Sequence, residues 1–358
     1  MKELLFICDW NKNREISWSG THLQIFNQLK KKYDIIDFDI SMNNHSMYSY
    51  YENLKKLIKK FFKIKDDLSY AKFLHYEKKI NKEYSNIISF SFGYIPISKN
   101  IKSFTYIDLS VSCILDFDTS ALINSGFSSI SNKYLLKFQN RELNHLKNGN
   151  YIFTMGNWVA NILKEKYPEF KDKIISVGGG INLDHKLINP NKSRNKFLFV
   201  GRDFKRKNGY LVIEAFKKLY KKNNTYELYI IGSDINMNIP GIHFIGNTNY
   251  KELSHYFNIC DVFVMPSLFE AYGLVFPEAL CYGLPCIGFN KYEMPYFIKN
   301  DENGYLLEEN DSKKLSELME KCILNDKIFS NVFNKRKYYL DLYSWKNVFS
   351  KMEIEMEK

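Results

Sequence analysis

The stretch Asp261–Pro285, DVFVMPSLFEAYGLVFPEALCYGLP, decides the fold. It opens on an apolar run, DVFVM, which reads as a short strand buried on both faces. A loop, PSLFEAYG, follows, and then a helix beginning near Gly273. Strand, loop and helix in that order make a βα unit of a parallel sheet. Two carboxylates, Glu270 and Glu278, flank seven residues. Glu270 falls in the loop, and Glu278 about a turn and a half into the helix. Both can reach the space above the helix N-terminus, where free N–H groups favour an anion. A carboxylate beside a phosphate site suits sugar hydroxyls, which donate to it. A helix-start Glu plus a solvated Glu gives the same spelling, so the pair alone does not decide.

The alternation extends outward in both directions. KFLFV, GYLVIEAFKKLY, ELYIIG, IHFIG and YKELSHYFN come before; PCIGF and the helical SKKLSELMEKCI come after. Nearer the N-terminus, ELLFIC, DIIDFDI, NIISFSF, KSFTYI, YIFTM and KIISV read as strands, with THLQIFNQLKKKY at helical spacing after the first. The pattern restarts after residue 190, which predicts two parallel sheets and two domains. The polar segment Asp184–Asn195 reads as the linker between them. In open α/β sheets ligands sit outside the carboxyl ends of the strands, so the loops after strands are where chemistry is sought.

Two such loops stand out. Val200–Gly209, VGRDFKRKNG, follows KFLFV and crowds Arg202, Lys205, Arg206 and Lys207 together. Arg grips a diphosphate bidentately and Lys acts as a point charge, although a solvated basic loop looks the same. Trp18–Thr21, WSGT, joins the first strand to the first helix. Its Gly20 lets backbone approach a phosphate, and its Ser or Thr can cap the helix. Ser176–Gly180, SVGGG, does not have the G-x-G-x-x-G spacing of a dinucleotide fingerprint.

Together these three features resemble glycosyltransferase family 4, a retaining family with the GT-B fold. The family pattern, G-R-x(3-4)-K-G and later P-S-x-x-E-x-[FY]-G-[LIM]-x-x-x-E-A-x-x-x-G-x-P, is met by GRDFKRKNG and PSLFEAYGLVFPEALCYGLP. The resemblance implies two Rossmann-like doubly wound α/β domains facing across a cleft. Their bounds would be 1–188 for acceptor binding and 189–342 for the nucleotide-sugar donor. A C-terminal helix, 343–358 with SWKNVF, would cross back to the first domain. It further implies that Arg202 and Lys207 hold the nucleotide diphosphate. Glu270 would contact the transferred sugar, and the backbone of Ala271, Tyr272, Gly273 and Leu274 would face sugar and diphosphate. Glu278 would bind the ribose hydroxyls, Gly20 would approach the diphosphate, and Gly246 and Asn247 would lie near the nucleobase. Relatives often carry a His after an N-domain strand. Here FTYIDLS offers Asp108, which either takes that place or caps the following helix. His22 is a cleft residue at most, with packing or surface roles the simpler account. Two further departures are a single glycine in the first loop and Lys207-Asn208-Gly209 in place of K-G-G.

The implied activity is retaining transfer of a sugar from a nucleotide-sugar donor, a UDP- or GDP-sugar, to a hydroxyl acceptor in polysaccharide or glycolipid assembly. No cofactor and no metal are implied, since protein cations serve the diphosphate. Asp116-Phe117-Asp118 spells D-x-D but is not in a suitable strand-end loop. A nucleotide-sugar epimerase of the same fold and a silent glycosyltransferase-like partner subunit are the alternatives.

Composition fits this reading. The 358 residues are 45% hydrophobic and 25% charged, which excludes general disorder. No run approaches the ~18–20 apolar residues of a spanning helix. MKELLFICDW reads as a buried strand rather than a signal peptide, and six cysteines without a C-x-x-C pair fit free thiols in the cytoplasm. The net charge of +11 is uneven: residues 1–190 hold 27 basic against 19 acidic side chains. Such a surplus fits an anionic partner or plain Lys-rich composition. Without an RNP, KH or zinc signature, nucleic acid is not expected. Glu52–Lys65, ENLKKLIKKFFKIK, has six Lys around an apolar stripe. It could rest on an anionic membrane or pack on the core.

Overall fold

The computed structural model describes residues 1–41, 80, 84–91, 101–115, 123–125, 132–182 and 194–358. The chain forms two compact units: Met1–Gly180 with Trp345–Lys358, and Ile181–Ser344.

In the first unit the strands are β1 (Lys2–Cys8), β2 (Tyr33–Asp39), β3 (Asn86–Phe90), β4 (Lys102–Ile107), β5 (Tyr151–Thr154) and β6 (Ile174–Ser176). They form a six-stranded sheet in the order β2-β1-β3-β4-β5-β6, each pairing parallel. A 3-10 turn, Arg14–Gly20, leads into α1 (Thr21–Leu29). Helices α2 (Val111–Leu115), α3 (Asn132–Asn148) and α4 (Asn157–Lys166) follow. Strand β1 is buried from Leu4 to Cys8, as a parallel strand covered on both faces must be. Leu5, Ile7, Ile40, Ile80, Ile87 and Ile101 make one of its core clusters.

The second unit contains β7 (Lys196–Val200), α5 (Gly209–Lys222), β8 (Glu227–Ile231), β9 (Ile242–Gly246), α6 (Tyr250–Ile259), β10 (Val262–Val264), α7 (Val275–Cys281), β11 (Cys286–Phe289), α8 (Met294–Phe297) and β12 (Gly304–Leu307). Helices α9 (Ser312–Ile323), α10 (Asp326–Asn334) and α11 (Arg336–Leu342) complete it. Its sheet runs β12-β11-β10-β7-β8-β9, again all parallel. The chain then returns to the first unit as α12 (Trp345–Met356). There it buries Trp345, Val348, Phe349 and Met352 and ion-pairs Glu353 with Lys32.

These are the two Rossmann-like units of a GT-B fold. Strand order reverses between β7 and β10, and the loops after those two strands flank the crevice where such sheets bind ligands. They are the two loops that carry GRDFKRKNG and PSLFEAYG.

Three local expectations are corrected. The helix after PSLFEAYG starts at Val275, not near Gly273, so Glu278 lies in its first turn. Neither Ser19 nor Thr21 caps α1: the N-cap is Gly20, with no side-chain bond, and Thr21 is already helical. Strand β12 has no counterpart in the sequence reading. It is four residues long at the sheet edge and follows the polar Asp301–Asn303. The Glu52–Lys65 segment, Asp116–Asp118 and most of the Asp184–Asn195 linker lie outside the described residues. All six cysteines are unpaired and buried. No described helix is long and apolar enough to cross a membrane.

Candidate active site

The loop after β7 is tied to the end of β8 and back on itself. Gly201 donates its N–H to the Ile231 carbonyl (2.8 Å), Lys207 to that of Asp203 (2.9 Å) and Gly209 to that of Phe204 (2.9 Å). Asn208 has φ 63°, in the left-handed region. Asn tolerates that region better than most residues, which accounts for its place in K-N-G. Its amide donates to Asn310 Oδ1 at 2.7 Å, pinning the start of α5 to the loop before α9.

The loop after β10 is held against this one. Leu268 N–H donates to the Arg206 carbonyl (2.9 Å). The Ser267 hydroxyl donates to the carbonyls of Phe269 (2.9 Å) and Arg206 (3.3 Å). Glu270 is thereby brought to Lys207, and the two form an ion pair at Oε2. Arg206 Nη1 lies 3.7 Å from the same oxygen. Burial lowers the Lys207 pKa, Glu270 opposes the shift, and Arg206 adds to it. Gly273 has φ +90°, and a Cβ there would come within 2.8 Å of Glu270 Cγ. Only glycine fits this turn beneath the carboxylate. Tyr272 is buried with its ring edge-on to Phe297 at 5.1 Å. Its ring belongs to the core, and Ala271 and Leu274 beside it are partly exposed.

Glu278 is 4% exposed. Among the described residues its carboxyl group makes no hydrogen bond and no ion pair, and burial raises its pKa to about 8. It is therefore mostly protonated at pH 7. Tyr250, the first residue of α6, lies close enough that Glu278 raises its phenol pKa and Arg202 lowers it, both after the larger effect of burial. Glu278 and the exposed Arg202 thus each lie within electrostatic reach of Tyr250. Gly246 ends β9 at φ +77° with open space where a Cβ would stand. Asn247, also exposed, donates to Asp234 Oδ1 at 3.0 Å. An Asn249–Glu252 capping box then starts α6 at Tyr250.

In the first unit, Trp18, Ser19 and Gly20 are left-handed in succession, with φ 46°, 57° and 86°. Next to them the buried Thr21 Oγ1 has no hydrogen-bond partner among the described residues. Trp18 Nε1 donates to Asp108 Oδ2 at 3.3 Å, joining the loops after β1 and β4. The first N–H groups of α2 are taken elsewhere. Glu142 accepts from Val111 (2.6 Å) and Ser112 (3.1 Å), and Ser110 Oγ accepts from Ser112 (3.0 Å). Cap bonds for this helix thus come from Ser110 and from a carboxylate 30 and 31 positions away. His22 is a packing residue. Burial lowers its pKa to about 3, its Nδ1 meets Ser17 Oγ at 2.9 Å, and its ring packs against Phe90 at 4.5 Å.

The structure thus joins Lys207 to Glu270, and sets Tyr250 within reach of both Arg202 and Glu278, all within the second unit. Gly20 and Asp108 lie in the first unit, on neighbouring loops. Arg206, Tyr250, Asn208 and Glu142 were not singled out for these contacts. A basic loop residue shows no partner in sequence, and Tyr250 is marked only by following the Gly246–Asn249 turn. Among the described residues no group of three His, Cys, Asp or Glu could hold a metal ion.

Residues 181–339 match the family model described as Glycosyl transferases group 1. A Klebsiella pneumoniae protein named as an uncharacterized 41.2 kDa protein in the cps region is 32% identical over 165 residues, covering 42% of this chain and 46% of that protein. An Escherichia coli protein named UDP-Gal:alpha-D-GlcNAc-diphosphoundecaprenol alpha-1,3-galactosyltransferase is 28% identical, covering 48% and 50%. The chain spans about half the length of these curated relatives. In three dimensions it is similar to Anabaena HepE, solved with UDP and glucose, at TM-score 0.65 and 11% identity over the whole of both chains. The fold is therefore GT-B, and the part of it similar to glycosyl transferases group 1 is the unit that holds Arg202, Lys207, Glu270 and Glu278.

Proposed function

We propose that this protein is a retaining glycosyltransferase. It would transfer a sugar from a nucleotide-sugar donor, a UDP- or GDP-sugar, to a hydroxyl acceptor in polysaccharide or glycolipid assembly. One observation carries the reading: Glu278 is a buried carboxyl group with no hydrogen bond or ion pair among the described residues, and Tyr250 lies within reach of both it and Arg202. A buried polar group normally has a partner, and ribose hydroxyls would supply one here. Arg202 and Lys207 stabilise the charge that develops on the departing diphosphate, and Glu270 orients the transferred sugar. In the first unit, the left-handed Gly20 and the Thr21 hydroxyl, unpartnered among the described residues, offer a close backbone approach and a donor to a phosphate. Transfer on one face of the sugar, with the leaving phosphate assisting deprotonation of the acceptor, gives retention. The cations take the place of a bound metal ion. The group 1 match and the relatives' names support the class of reaction. The name of the E. coli relative favours a lipid-linked acceptor, met at the inner face of the membrane.

The test is a thermal-shift titration with UDP, GDP, ADP and their sugar conjugates, with and without EDTA. Stabilisation by one base, unchanged by EDTA, is the expected result. Arg202→Ala combined with Lys207→Ala should remove most of that shift. Retention of the full shift would take both residues out of the diphosphate site.

Asp108 is the acceptor-side residue of this reading. Asp108→Asn is expected to lower turnover by about tenfold or more while the melting temperature moves little, since Glu142 and Ser110 hold the start of α2. Equal loss of stability and turnover would make it a structural residue.

A further inference from the structure

We propose that Arg206 is a positioning residue that holds the Glu270 carboxylate in place when the Lys207 ammonium turns to the donor diphosphate. The inference rests on the donor-site reading above. Before donor binds, Lys207 is paired with Glu270. Lysine is a point charge on a flexible stem, and a diphosphate placed at this loop competes for it. Its departure would leave Glu270, 8% exposed, without its closest cation. A buried carboxylate left without that cation is no longer held in one orientation, which spoils its reception of sugar hydroxyls.

Arg206 prevents this because it is fixed from several sides. Its Nη1 donates to the carbonyl of Phe269 at 2.8 Å, the residue next to Glu270. Its Nε donates to Asp203 Oδ2 at 3.2 Å, and its backbone N–H to Asp203 Oδ1 at 3.2 Å. Its own carbonyl accepts from Leu268 at 2.9 Å. The guanidinium therefore spans both loops of the site with its charge 3.7 Å from Glu270 Oε2. A planar fork can make these bonds together, and an ammonium cannot.

The experiment compares Arg206→Met, Arg206→Lys, Glu270→Gln and the Arg206→Met/Glu270→Gln double variant. UDP and GDP serve as binding probes, and UDP-glucose and GDP-mannose as donors, with diphosphate release as the turnover readout. Arg206→Met should lose about ten- to a hundredfold in turnover with diphosphate affinity within about twofold of the parent. Arg206→Lys should recover part of the loss, because charge returns without the Phe269 and Asp203 bonds. The double variant should be no slower than Glu270→Gln alone. Parental turnover in Arg206→Met, an equal loss of affinity and turnover, or additive losses in the double variant would each overturn the inference. Normal turnover in Glu270→Gln would instead overturn the donor-site reading itself, and leave Arg206 nothing to position.

Discussion

Glu270→Gln is expected to lower sugar transfer by roughly a hundred- to a thousandfold, the scale of losing one preorganised electrostatic group at a reacting centre. The size follows from burial and from what surrounds the carboxylate. Glu270 is the acidic member of a Glu270–Lys207–Arg206 group built by two different loops. Glutamine keeps the shape and one acceptor oxygen but removes the charge. Two consequences add. Sugar hydroxyls lose an ionised acceptor, and Lys207 loses the neighbour that opposes the lowering of its pKa by burial. A less fully charged Lys207 is a weaker stabiliser of the departing diphosphate. Breaking a buried pair also costs stability, by about 3–5 kcal/mol when a charge is left alone. A bound diphosphate gives Lys207 a new partner, so added nucleotide should restore much of the lost melting temperature. Steady-state release of diphosphate from the sugar donor, beside thermal melts with and without nucleotide, checks both parts. Parental turnover in this variant would remove Glu270 from the reaction.

The second large effect has the opposite sign for stability. Glu278→Gln should make the protein more stable and its nucleotide binding weaker. An unfolded glutamate ionises near its ordinary value of 4.5, whereas the buried one holds its proton until about pH 8. Below pH 4.5 both states are protonated and the residue does not affect stability through ionisation. Between 4.5 and 8 the unfolded chain ionises alone, so stability falls as pH rises. Above 8 the penalty is complete. At 1.36 kcal/mol per pKa unit this amounts to roughly 3 kcal/mol at pH 7 and about 5 kcal/mol above pH 8. Glutamine cannot ionise and escapes the penalty. The melting temperature of Glu278→Gln should therefore exceed that of the parent by several degrees at pH 8 and match it near pH 4.5. Equal melting curves across that range would show that Glu278 is already ionised and satisfied. A group that weakens the fold in this way is a sign of function, because the ligand supplies what the protein withholds.

The two motif loops were legible because their chemistry is written in consecutive residues. PSLFEAYG must carry its carboxylate and its left-handed glycine within a few positions, and Gly273 at φ +90° beneath Glu270 is the reason the spelling is so restricted. The strands were legible for a similar reason: a run such as LLFIC, buried throughout, needs no partner to be recognised. What escaped depends on pairings set by topology. Arg206 meets Phe269 across 63 positions and Asn208 meets Asn310 across 102. Glu142 caps α2 from 31 positions away. No local pattern marks these residues. The WSGT loop shows the complementary error. Ser and Thr are common caps, yet the chain turns left-handed at Trp18 and Ser19 and starts its helix after Gly20 instead. That path puts the indole N–H on Asp108, a contact that capping propensity does not anticipate.

The central claim is that Glu278 is the group that receives the nucleotide, and proton uptake or release on binding reads it most directly. Calorimetric titration of the stabilising nucleoside diphosphate at pH 7, in two buffers of different ionisation enthalpy, counts the protons exchanged. Ionised Glu278 accepts ribose hydroxyls better than the neutral acid does, so binding should expel its proton. The account predicts release of close to one proton more in the parent than in Glu278→Gln, with parental affinity rising towards pH 8. Identical proton counts and identical affinities in the two proteins would contradict it.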